Sequence, residues 1–234
     1  DSLYIMNPPN TDTVDEIIDQ LDTVEMDTNY SATYWPWIQV RDTDNATQIY
    51  LPPTGEVLKN IALTDNVSYP WFAVAGYSRG LVNAIKAKKK LTLENRDDLY
   101  KARINPIATF SDTGTIIWGN KTLQVRESAL DRINVRRLLI TLKKFIASTS
   151  RYLLFEQNTA ATRNKFLAIV NPYLEAVQQR QGLYAFNVIM DESNNTPDLI
   201  DRNILYGQIF LQPARAVEFI ILDFNLQATG ATFG

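Results

Sequence analysis

Cysteine and histidine are both missing from the 234 residues. Without cysteine there is no disulfide, no thiol nucleophile and no thiolate metal site, a composition that fits a reducing compartment. Without histidine the commonest general base and a common metal ligand are gone, which removes most hydrolase and zinc-site designs. Long apolar runs are missing too. No stretch of about 18 or more apolar residues occurs, so no membrane insertion is expected. The acidic, polar start does not read as a signal peptide, and a chain that opens on Asp1 reads as a fragment or a processed piece. Neither an internal repeat nor a low-complexity tract is visible.

What is present is the composition of a globular protein, 45% hydrophobic and 21% charged, long enough to bury a sizeable core. The net charge of −3 hides an uneven spread. Residues 1–70 carry 2 basic and 12 acidic side chains, residues 71–181 carry 19 and 8, and residues 182–234 carry 2 and 6. A basic middle between acidic ends suggests either contact with a charge-complementary surface or neutralisation within one fold.

The rest of the chain is organised around residues 132–155. Val135, Leu138, Leu139, Leu142, Ile146, Thr149 and Leu153 recur at three- and four-residue steps, the stripe of an amphipathic helix. Asp131 or Asn134 can cap its start. Arg136, Arg137, Lys143, Lys144 and Arg151 lie mostly off the stripe. They form either a solvated basic back or a surface for an acidic partner.

Before this helix, residues 3–6 read as a short strand stopped by Asn7-Pro8-Pro9, and Thr11 or Thr13 caps a helix carrying Val14, Ile17, Ile18 and Leu21. Residues 32–40 read as one aromatic strand, with Pro36 placing it at an edge or a bulge. A short helix follows over Val57, Leu58 and Ile61, and Tyr69-Pro70-Trp71-Phe72 reads as a knot packed against its own loop. Asn95 caps another short helix. Residues 104–110 and 115–118 read as strands of a hairpin. After the central helix, Asn158 or Thr159 caps a further helix in which Asn171-Pro172 marks a kink or a restart, with Gly182 as C-cap. Residues 183–190 and 205–211 read as strands, Gln212-Pro213 breaks the second, and residues 216–227 read as a long apolar strand before a small, flexible tail. The fold class is mixed α/β: a β-sheet flanked by two long helices, with a hairpin and a C-terminal strand able to pair with a neighbouring subunit.

Three motifs invite chemistry. Gly76-Tyr77-Ser78-Arg79-Gly80 matches the G-x-S-x-G nucleophile elbow, but that device needs a histidine, so a loop permitting unusual backbone angles is the better reading. Lys86 with Lys88, Lys89 and Lys90 forms a basic cluster with few interleaved aromatics, a solvated or partner-facing patch rather than a nucleic-acid site. Asp191, Glu192, Asn194 and Asn195 group oxygens at a spacing that fits no calcium loop. No catalytic residue, cofactor or metal is expected. The competing readings are a structural assembly subunit, an enzyme using two carboxylates, and a nucleic-acid-binding module using the basic middle.

Several stretches together resemble the contractile tail sheath proteins of bacteriophages. These are Tyr-Trp-Pro-Trp-Ile at 34–38, Leu-Pro-Pro-Thr-Gly at 51–55 with Thr64-Asp65, and Tyr-Pro-Trp-Phe-Ala-Val-Ala-Gly at 69–76. Ile107 follows, with Trp-Gly-Asn-Lys-Thr-Leu at 118–123 and Ile-Asn-Val-Arg-Arg-Leu at 133–138. Phe-Glu-Gln-Asn at 155–158 and Pro-Ala-Arg-Ala-Val-Glu-Phe-Ile at 213–220 complete the set. The chain departs from the family pattern at Gln157 and Lys121. Related sheaths occur in contractile bacteriocins and type VI secretion. The resemblance implies an inner sheath domain over residues 1–212, as the C-terminal part of a longer protein, and a C-terminal arm over 213–234. It implies a virion component, assembled in the host cytoplasm, that polymerises in a six-fold helix around a tail tube. Baseplate and terminator would stand at its ends, with no nucleic acid or membrane as partner. The arm strand of Val217, Glu218, Phe219, Ile220, Ile221 and Leu222 would then add to a neighbour, with the hairpin of Ile107, Thr109, Ile116 and Trp118 as receiving edge. Arg136, Arg137, Lys143, Lys144, Lys88, Lys89 and Lys90 are the candidates to face the tube.

Overall fold

The computed structural model describes residues 1–222. Strand β1 (Tyr4–Met6) and helix α1 (Val14–Val24) open the chain. Thr13 caps α1, accepting from the Glu16 amide while the Glu16 carboxylate accepts from the Thr13 amide, a reciprocal arrangement that satisfies two orphan donors.

The aromatic stretch expected as one strand, at an edge or with a bulge at Pro36, is two interior strands. β2 (Ser31–Trp35) lies in the middle of the first sheet, and β3 (Ile38–Asp42) lies in the middle of a second. Pro36 offers no N–H to a ladder, so the chain leaves one sheet there and enters the next. β4 (Thr47–Leu51) pairs antiparallel with β3 on one side, and β5 (Lys86–Ala87) on the other. Between them run α2 (Thr54–Val67) and the single turn α3 (Gly76–Arg79).

α4 (Leu93–Lys101) is capped by Thr92, one turn earlier than the sequence suggested. Asn95 sits at the third helical position and returns a bond to the Thr92 amide. The hairpin is present as β6 (Asn105–Phe110) and β7 (Gly114–Ile117). The first sheet therefore runs β1-β2-β6-β7, parallel across its first three strands. Both faces of β2 are covered: Ala32 and Tyr34 join a core with Val57 and Ile107, and Trp35 joins another with Ile17 and Leu99. Burial on both faces is the usual setting of parallel strands.

α5 (Ile133–Arg151) is the central helix, and α6 (Ala160–Gln179) follows it. The start of α5 has no side-chain cap. Instead Ile133 N–H donates to the Asn120 carbonyl at 2.9 Å, and Asn134 is buried, bonded to Asn120 and to the Trp71 carbonyl. α6 is capped by Thr159 and runs through Pro172 as one helix. It ends with Gln181, not Gly182, in the left-handed region, at φ 62°. Gly182 serves a different need. A Cβ there would lie 2.6 Å from Val177 and 3.1 Å from the Trp71 ring.

β8 (Leu183–Ile189), the short α7 (Pro197–Asp201) and β9 (Gln208–Pro213) complete the regular structure. β9 continues to Pro213 rather than breaking at Gln212, pairing Pro213 with Leu183. The two long helices flank this third, two-stranded sheet: Leu138, Leu142, Phe166, Val170 and Leu174 meet Leu183, Phe186 and Leu211 in a core of their own. Ile133 belongs to the first core and Leu138 to this one, so α5 ties the two together. Trp71 stacks on Tyr69 at 4.9 Å and donates its indole N–H to the Arg180 carbonyl, so the aromatic knot packs against distant chain, not only its own loop.

Candidate assembly surfaces

The basic candidates divide on burial. Arg136 is 3% and Arg137 7% exposed, so neither presents charge to a partner surface. The Arg136 guanidinium lies 4.0 Å from the centre of the Tyr30 ring and donates to Asn29, and Arg137 pairs with Asp65. The first turns of α5 are enclosed on all sides, whereas the amphipathic pattern had left these two on its outer face. Lys143 and Lys144, further along, are exposed, and Lys143 reaches Asp1 at 3.1 Å. Lys88 is partly buried, 2.7 Å from both Asp12 and Asn10, and with that pairing the Asp12 carboxyl is held below its ordinary value. Lys89 and Lys90 are exposed.

The strand edges differ in availability. Ile107 and Ile116 of the hairpin are buried, Thr109 bonds Thr115 and the Ala87 amide, and Trp118 stacks near Phe110 and Tyr77. The outer edge of β7 is occupied: Ile117 N–H donates to the Gly80 carbonyl at 2.8 Å, and Val82 N–H donates to the Thr115 carbonyl at 2.9 Å. By contrast the β8–β9 pair has no further strand on either side among the described residues. Tyr184 and Phe210 stand exposed on it.

The arm leaves β9 at Ala214. Over residues 214–222 it forms no strand within its own chain, and its large apolar side chains are open to solvent, from Leu222 at 71% to Ile221 at 93%. The remainder of the long strand read over 216–227, and the tail after it, lie outside the described residues. Glu218 and Phe219 of the arm are held against Tyr100. The Glu218 carboxylate takes two bonds from Arg132, at 2.6 and 2.9 Å, and one from the Tyr100 hydroxyl at 2.9 Å. Phe219 meets the Tyr100 ring edge-on at 5.7 Å. Burial, and then the Glu218 carboxylate, push the Tyr100 phenol up to about 12. Lys121 sits over that ring, 3.4 Å from its centre, and burial and then Arg132 lower its value. Sequence reading named Glu218 but not its partners.

Ser78 lies exposed in α3, and Gly76 takes φ +77°, so the G-x-S-x-G run is a tight turn whose first glycine supplies the backbone angle. The oxygens of Asp191 and Asn194 accept bonds from the Ser193 and Asp191 amides and so close their own loop.

The described residues thus present an open two-stranded sheet, an exposed apolar arm segment and scattered exposed lysines. Residues 126–227 match the phage tail sheath C-terminal domain family. The tail sheath protein of Enterobacteria phage T4 is 40% identical over 193 residues, covering 82% of this chain and 29% of that protein. The tail sheath protein of Vibrio phage KVP40 is 36% identical over 214 residues, covering 91% of this chain and 32% of that one. The sheath of an extracellular contractile injection system, PVC, in its contracted state superposes with a TM-score of 0.84 at 26% identity, over 94% of this chain and 63% of the other. The chain belongs to the contractile tail sheath family, and it spans about a third of the length of these curated relatives.

Proposed function

We propose that this chain is the inner part of a contractile tail sheath subunit, a structural and non-enzymatic component of the virion. Copies polymerise in a helix around a tail tube, with a baseplate at one end and a terminator at the other, and contraction drives the tube through the host envelope. The phage device is favoured over a bacteriocin or type VI-like one because the two phage sheaths are 36% and 40% identical and the injection-system sheath 26%. The nucleic-acid reading loses ground because Arg136 and Arg137, near the centre of the basic block, are enclosed.

The observation that carries this reading is the arm. A run of large apolar side chains held out in solvent is costly unless a partner covers it. A two-stranded sheet is marginal by itself and gains from an added strand. Residues 216–222 of one subunit adding to an open edge of the β8–β9 pair of a neighbour would satisfy both, with backbone bonds giving affinity and alternate side chains giving register. The β6–β7 hairpin is the weaker acceptor, because residues 80–82 already bond along β7. For the tube, the exposed lysines Lys143, Lys144, Lys89 and Lys90 remain as the weak, sliding attachment. Removal of residues 213–234 tests the reading: the truncated chain should stay folded and monomeric and form no tubes by electron microscopy. Normal sheaths from the truncated chain would sink it.

A further inference from the structure

The cleft at the root of the arm has a volume of about 470 Å³ and a marked charge bias, with five cationic and two anionic side chains around it. Tyr100, Lys121, Asp131, Arg132 and Arg215 are among those lining it. Within it Arg132 is a prepared carboxylate receptor. Its guanidinium is fixed by Asp131 at 3.0 Å, and its NH2 also donates to the Tyr100 oxygen at 2.9 Å. Tyr100 is fixed in turn, because Lys121 donates to its backbone carbonyl and covers its ring. The ligand seated here is this chain's own Glu218. Its side chain is 20% and that of Arg132 23% exposed, while the apolar side chains on either side of it in the described arm stand open. A two-bonded, partly desolvated arginine–carboxylate contact is stronger and more directional than a surface pair.

We propose that this receptor is a latch: by holding Glu218 it keeps the arm folded back on its own subunit, and its opening is a step that precedes strand exchange with a neighbour. The idea rests on the exchanged-arm reading above. The contact holds the arm by one carboxylate and one ring edge while the described aliphatic side chains around it, Val217, Ile220, Ile221 and Leu222, remain uncovered. That is the balance a reversible catch requires. The docked pose leaves the apolar segment displayed to solvent, so a neighbour's edge can outcompete it by covering Val217, Ile220 and Ile221. The dock is built from Tyr100 of α4 and Arg132 at the start of α5, neither of which belongs to the core around the β8–β9 pair, so arm release leaves that packing in place.

The test uses the 234-residue chain, whose lack of cysteine lets two introduced ones, Lys101→Cys and Ile221→Cys, carry spin labels. In monomers the label pair should give one short, narrow distance. Glu218→Gln, an arm substitution that touches no core, should broaden it and shorten the lag before polymerisation, seen by light scattering, by roughly tenfold. Arg132→Glu should do the same, and Arg132→Glu with Glu218→Arg should restore both the narrow distance and the lag. A distance that stays narrow in Glu218→Gln overturns the latch. So does a broadened distance with an unchanged or longer lag, or with no assembly under any condition. Normal sheaths from the chain lacking 213–234 would instead refute strand exchange, leaving the distance measurement to report on the dock alone.

Discussion

Arg137, on the second turn of α5, pairs with Asp65 near the end of α2, and while its guanidinium is nearly withdrawn from solvent the carboxylate remains partly exposed. The asymmetry decides what each residue is for. Asp65 can be hydrated when alone; a lone enclosed Arg137 cannot.

Asp65→Ala should therefore destabilise the chain by about 1–3 kcal/mol, since it strands a buried charge. Replacing both partners, as Asp65→Leu with Arg137→Met, should recover most of that loss. Urea unfolding followed by tryptophan fluorescence measures both. Equal stability of Asp65→Ala and the parent would show that water reaches the guanidinium.

How much of this was legible in the sequence depends on the scale of the interaction. Elements set by neighbours three or four residues apart were readable: the Thr13 cap with Glu16, the β6–β7 hairpin, the stripe of α5. Burial set by distant chain was not. Arg136 and Arg137 look like an outer face until Tyr30, Asn29 and Asp65, more than 70 residues away, close over them. Pro36 read as an edge or a bulge of one strand, and only the second sheet explains why the chain stops at Trp35 and a new strand begins at Ile38. Gly182 was seen as a cap, while its need is the approach of Trp71. The arm was visible as an apolar strand without a home, and its tie through Glu218 was invisible because Tyr100 and Arg132 are far along the chain.

The family-like run Trp118-Gly119-Asn120-Lys121-Thr122-Leu123 is a strap rather than a site. Asn105 fastens it, donating to the Thr33 and Lys121 carbonyls and accepting from the Lys121 amide at 2.7 Å. Gly119 passes so close that a Cβ would sit 2.8 Å from Asn105 Cα. Because that neighbour is backbone, it cannot swing away. Gly119→Ala should cost about 2 kcal/mol or more, read by thermal unfolding, with the arm intact. An unchanged melting temperature would mean that the strap shifts freely.

Charge reversal separates surface from interior among the basic residues. Lys143→Glu with Lys144→Glu should leave the melting temperature within a degree or two, because exposed pairs contribute about 0–1 kcal/mol each. Tube co-sedimentation should fall at low salt and converge with the parent at high salt. Arg136→Glu with Arg137→Glu should fail to fold stably instead. Unchanged tube association of the lysine variant at every salt concentration would move the contact to Lys89 and Lys90.

The phenol of Tyr100 reports on the arm. Its value is pushed up to about 12, first by burial and then by the hydrogen bond and charge of Glu218, against partial opposition from Arg132. A raised value means that the folded contact favours the protonated phenol more than a solvated tyrosine does, whose ordinary value is about 10. Stability from this source is therefore complete below pH about 10 and is lost as pH rises toward 12, where the phenolate would face the Glu218 carboxylate. Asp131 adds to the repulsion, and Arg132 moderates it. Carbon-13 NMR of labelled tyrosine, with Tyr100→Phe to assign the signal, should show the late titration. In Glu218→Gln the midpoint should fall toward the ordinary value without reaching it, since burial remains. A midpoint unmoved by Glu218→Gln would mean that the carboxylate does not rest on Tyr100 in solution, and the docked arm would then be wrong.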